Sequence, residues 1–177
     1  MKLVRHTSLI RLSPIMFAAL LAHPADAAPA GLLNKSISVT YATTIPGKKA
    51  DGSPVSGSRI ATRTVYISSA GRIFARVSRR DGNASETKEA GPSESGNTFR
   101  FVGDKLVGVM QFASGASQMT ISFDAGGQSC SAAIVAGRDN GRPLRWKGVN
   151  GMMNEATGPA TFSNISCSIS SGNAFGG

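Results

Sequence analysis

Cys130, in "SFDAGGQSCSAAI", and Cys167, in "SNISCSISSG", are the only cysteines in a chain of 177 residues. A reactive thiolate needs an activating histidine, a nearby cation or a helix N-terminus. The only histidines are His6 and His23, and neither cysteine has Lys or Arg within several residues. Both cysteines fall on the apolar side of an alternating segment, and an even, small number of cysteines in an exported chain is usually oxidised. A disulfide closing a loop of about 38 residues is therefore expected.

The histidines bear on every other catalytic scheme. "MKLVRHTSLIRLSP" carries Lys2, Arg5 and Arg11, and "IMFAALLA" then gives an apolar run, followed by "HPADAAPAG". A basic region, a short apolar run and small residues at Ala25 and Ala27 make a secretory signal peptide, with the cut expected before Ala28. The run is far shorter than the roughly 20 residues that span a bilayer. Removal of residues 1–27 would take away both histidines, and with them Ser-His and Cys-His machinery and nearly all zinc sites. No metal and no cofactor are expected. The remaining chain keeps 16 of the 19 basic and 9 of the 10 acidic residues, a net charge of +7. That excess favours anionic partners without specifying a fold.

Two basic clusters follow. "GRPLRWKG" holds the only tryptophan, Trp146, among Arg142, Arg145 and Lys147, and an indole beside cations suits a sugar ring or a membrane interface. In "RIFARVSRRDG", alternation puts Arg72, Arg76 and Arg80 on one face and Arg79 on the other. Such a row offers bidentate hydrogen bonds to phosphate or carboxylate; it is equally what a solvated sheet shows. "SETK" at 85–88 matches a Ser-x-x-Lys spacing only by chance, since the chain is too short for that fold. Asp51, Asp81, Asp104, Asp124 and Asp139 all stand in turn contexts, and Asp124 of "DAGG" is expected to cap its turn.

The elements that position these groups read as short strands. "SISVTY" places Ile37, Val39 and Tyr41 on one side; "TFRF", "QMTISF", "CSAAI" and "ISCSI" alternate likewise. In "ATRTVYISSAGRIFARVS", a three-residue loop with Gly71 in the left-handed conformation pairs Ile67 with Ile73, Val65 with Ala75 and Arg63 with Val77. That register gathers Val65, Ile67, Ile73, Ala75 and Val77 on one apolar side, whereas a one-residue slip scatters them. "PGKKADGSPVSGS" (46–58) and "DGNASETKEAGPSESGN" (81–97) read as long loops. The fold expected is all-β: a single antiparallel sandwich or small barrel of about eight short strands over 28–177. An outer-membrane barrel competes, but the strands of five to eight residues are short for it.

"SSAGRIFARVS", "ISFDAGGQSCSAAI" and "SCSISSGNAFGG" together resemble a group of small exported, uncharacterised alphaproteobacterial proteins. The resemblance covers about half of residues 28–177 and supports export and paired cysteines; it implies no activity and no cofactor.

The residues thus point to a periplasmic or secreted, non-catalytic protein with a basic surface. Arg72, Arg76, Arg80, Arg142, Arg145, Trp146 and Lys147 are its candidate anion- or glycan-binding residues. The partners expected are anionic lipid, lipopolysaccharide or acidic polysaccharide, and not nucleic acid. One alternative is a small glycan hydrolase working with carboxylates alone, which needs two of them about 5–9.5 Å apart. Another is a structural envelope component with no ligand.

Overall fold

The computed structural model describes residues 26–81, 88–89, 93–94, 99–112, 115–139, 144–147 and 151–176. After one 3-10 turn (Ala30–Leu32) every element is a strand: β1 Lys35–Lys48, β2 Pro54–Ile67, β3 Ile73–Asp81, β4 Lys88–Glu89, β5 Ser93–Glu94, β6 Phe99–Val102, β7 Lys105–Phe112, β8 Gly115–Phe123, β9 Cys130–Asp139, β10 Arg145–Lys147, β11 Met153–Ala156 and β12 Thr161–Ser171. Among the described residues no helix is long and apolar enough to cross a membrane.

All pairings are antiparallel. β1 pairs β2 along its whole length, from Lys35 opposite Ile67 to Lys48 opposite Pro54, and β2 pairs β3. The other edge of β1 carries β12 over Lys35–Thr44 and then β11 at Gly47 and Lys48. A second sheet runs β6-β7-β8-β9. The sheets touch where β3 meets β6 and where β9 meets β12, so the strands follow one another around a flattened barrel. At the second seam Cys130 and Cys167 are joined in a disulfide, their Cα atoms 5.6 Å apart.

Period-two alternation explains the core. Ile37, Val39 and Tyr41 point inward with Ala61, Val65 and Ile67, and meet Phe99, Phe101, Leu106, Met119 and Ile121 of the second sheet. Each large side chain so buried contributes about 1.5–3 kcal/mol. Leu32 plugs one end, where a Cβ added at Gly127 would stand 2.9 Å from its Cδ2, and Lys35 Nζ donates to Gly127 O (2.8 Å). The outward residues of the same strands include paired hydroxyls: Thr40 and Thr62 are hydrogen-bonded at 2.8 Å, Ser38 and Thr64 at 3.4 Å.

The 67–73 hairpin has the expected register, with Ser68 N–H donating to Arg72 O (2.9 Å) and Gly71 at φ +76°. The expected loop over 46–58 is a correction. Only Lys49–Ser53 turns, and the rest belongs to two 14-residue strands. Pro54 is tolerated because it opens its strand. Most of the 81–97 stretch lies outside the described residues; Lys88–Glu89 and Ser93–Glu94 pair with β3.

Candidate anion-binding site

The structure divides the candidate residues between places far apart in the sheet. Arg72, Arg76 and Arg80 share the outer face of β3, since their inward neighbours Ile73, Ala75, Val77 and Arg79 stand opposite Ile67, Val65, Arg63 and Ala61. Two of the three guanidinium groups lie on aromatic rings. Arg72 is 5.3 Å from the Phe74 ring centroid and Arg76 is 5.2 Å from that of Phe175. Phe175 in turn meets Tyr66 edge-on at 6.4 Å. It is held there because Ser36 Oγ ties down the C-terminal segment, donating to Gly172 O (2.7 Å) and accepting from Ala174 N–H (2.9 Å). Arg80 is exposed, opposite Ile60.

Arg145, Trp146 and Lys147 form β10, the outermost strand beyond the end of the β1–β2 ribbon. Arg142 lies outside the described residues. In a strand, Trp146 must point away from the two cations that flank it. Arg145 donates through Nε (3.1 Å) and Nη2 (2.9 Å) to Glu155 Oε2, and Lys48 Nζ is 3.7 Å from Glu155 Oε1. The charge of Arg145 is therefore committed to a neighbour within the sheet. The indole turns to the other face and lies on bare backbone. A Cβ added at Gly57 would stand 2.9 Å from Cε2 of Trp146, and one added at Gly47 would collide with its six-membered ring. Gly47 and Gly57 have the parity of Tyr41 and Ala61 in an unbroken β1–β2 register, so Trp146 sits on the inner face.

That inner face carries arginines not counted in either sequence cluster. Going from Trp146 toward the core, successive inward pairs are Ile45 with Gly57, Thr43 with Arg59, Tyr41 with Ala61, and Val39 with Arg63. β3 adds Arg79 beside Ala61 and Val77 beside Arg63, with Asp81 opposite Arg59. Same-face neighbours along a strand are about 7 Å apart. Arg63, half-buried, donates from Nε to the Tyr41 hydroxyl (3.3 Å), and Tyr41 meets Phe162 edge-on at 5.9 Å. The result is a track of alternating character: Trp146, then Arg59, then the Tyr41–Phe162 pair flanked by Arg63 and Arg79. The pairing of Arg63 with Val77 was its one trace in the sequence, an arginine at an apolar parity.

The carboxylates serve other ends. Asp124 Oδ1 accepts from the N–H groups of Gln128 (2.7 Å) and Ser129 (3.2 Å), and these hydrogen bonds hold its carboxyl below the usual carboxylate range. Asp51 Oδ1 accepts from the Ser53 hydroxyl (2.6 Å) and N–H (2.9 Å), with the same effect. Both stay ionised and brace turns at opposite ends of the strands, the wrong state and place for a general acid. Asp26 Oδ2 accepts from Gly103 N–H at 2.7 Å. Among the described residues no three His, Cys, Asp or Glu side chains are grouped to hold a metal ion. No family model matches the chain, and no curated protein or solved structure shows significant similarity to it.

Proposed function

We propose that this is an exported, non-catalytic binding module that takes an acidic polysaccharide of the cell envelope on the inner face of its long β1–β2 ribbon, at the Trp146 end beyond the buried core. The observation that carries the reading is the seat of Trp146: two glycines on neighbouring strands clear a shelf for the indole, in line with Arg59, Arg63 and Arg79. A flat ring laid on backbone suits the face of a pyranose, and guanidinium groups a rung or two away suit carboxylates on the next residues of the chain. The net charge and the disulfide fit the same setting, since disulfides persist outside the reducing cytoplasm.

Tryptophan fluorescence tests this directly. Titration with polygalacturonate or alginate at low salt is expected to quench or shift Trp146 emission saturably, neutral dextran to do nothing, and added salt to weaken binding. Trp146→Ala should cost about tenfold in affinity. Equal response to charged and neutral glycan, or a response only to anionic vesicles, overturns the reading.

A further inference from the structure

At the opposite end of the molecule, by the seam between β3 and β6, β6 is paired along its length on one side only among the described residues. β6 pairs β7 residue by residue along one side, from Phe99 opposite Gly108 to Val102 opposite Lys105. Along its other side the only pairing among the described residues is a single bridge, Asp26 opposite Phe101. Asp26 holds that place with two hydrogen bonds. Its N–H donates to Phe101 O (3.3 Å), and its carboxylate accepts from Gly103 N–H (2.7 Å). Beside it an open groove of about 540 Å³ runs between the 69–71 hairpin turn and β6. Its lining includes apolar Leu33, Ile73, Phe99 and Phe101 together with Arg72 and Arg100.

We infer that the edge of β6 turned away from β7 is a strand-addition site for an extended acidic peptide, and that Asp26 occupies it only until the leader is cut before Ala28. The inference rests on the leader reading made from the sequence. Cleavage there removes the one carboxylate among the described lining residues and leaves Phe101 C=O and Gly103 N–H without it, between Arg72, Arg100 and the new ammonium group of Ala28. A segment that adds a strand supplies main-chain hydrogen bonds, and its side chains supply the choice of partner. What Asp26 shows is the choice made here: an amide N–H for Phe101 O and a carboxylate for Gly103 N–H, with the small residue Ala27 next to it in the groove. Peptide is favoured over lipid because the recognition seen is of backbone.

The protein is expressed with its own leader, recovered from the periplasmic fraction, and its N-terminus read by intact mass. The probe is the synthetic peptide Ala-His-Pro-Ala-Asp-Ala, residues 22–27 of the chain. Its addition is expected to shift the Gly103 and Phe101 backbone amide signals saturably in an NMR titration. The same peptide with Asp26→Asn should bind about tenfold more weakly, as loss of a charge-assisted hydrogen bond implies, and Arg100→Ala in the protein should weaken binding severalfold. A mass beginning at Ala28 with no shift on peptide addition, or with equal shifts from the Asn peptide, overturns the groove and leaves the leader reading standing. A mass that retains Asp26 overturns the leader reading and the proposal with it. Phosphatidylglycerol vesicles that shift Gly103 more strongly than the peptide assign the groove to lipid and overturn the peptide.

Discussion

Trp146 and Gly57 share one space. Any side chain at Gly57 would put its Cβ 2.9 Å from Cε2 of the indole, so a larger residue there must move the ring. Gly57→Ala is expected to shift Trp146 emission to the red and to destabilise the fold by about 1–3 kcal/mol, the usual cost of overpacking. The same substitution made on Trp146→Ala should cost close to nothing, because the competitor is gone. Equal costs in both backgrounds, by urea denaturation, would mean that the glycine serves its backbone and not the indole.

The same pair shows which parts of the fold a local sequence pattern can carry. The alternation in "SISVTY" and the 67–73 hairpin were legible, because period two and a left-handed glycine are local signals. The upper half of the β1–β2 ribbon was not. Pro46, Gly47, Pro54 and Gly57 have the composition of a loop, yet Gly47 and Gly57 receive Trp146 from 99 and 89 residues away. The cluster "RWK" misled in the opposite way: neighbours in sequence, its cations and its ring lie on opposite faces of a strand. Arg59, Arg63 and Arg79 come together only through the register of β1, β2 and β3, which no single segment announces.

Arg63 separates binding from folding. Its guanidinium is half-buried and reaches the Tyr41 hydroxyl, while its stem packs on an inner face between Val39 and Val77. Methionine replaces the stem and removes the charge. Arg63→Met is expected to keep stability within about 1 kcal/mol and to weaken acidic-glycan binding several-fold with a shallower salt dependence. Isothermal titration at two salt concentrations reads both. Unchanged affinity would remove Arg63 from the binding track.

The Cys130–Cys167 disulfide crosses a seam between sheets, where β9 and β12 touch. Closing a loop of about 38 residues is worth roughly 3–4 kcal/mol in the chain-entropy account. Reduction, or Cys130→Ser with Cys167→Ser, should therefore lower the melting temperature by about 6–16 °C, given about 2–4 °C per kcal/mol at this size. A transition that ignores reductant in the thermal melt would show that packing alone closes the seam. Two alkylatable thiols in protein isolated from its own compartment would instead contradict the oxidised state there.

Asp124 ties stability to pH with a definite sign. Its carboxylate accepts backbone N–H groups from Gln128 and Ser129, and those bonds lower its pKa in the folded state. A group whose folded pKa is depressed stabilises the fold above its unfolded pKa and loses that contribution as pH falls through the folded value. The turn it braces carries Gly127, which packs on Leu32 at the closed end of the barrel, so the loss is felt in the core. Asp124→Ala is expected to melt below the wild type by a constant margin from pH 8 to about pH 5, and the margin should shrink as pH drops below about 4. Asp124→Asn, which keeps an acceptor oxygen but cannot ionise, should lie between the two at pH 7 and converge on the wild type in acid. A margin that stays flat down to pH 2 would mean that the ionised form adds nothing over the neutral one.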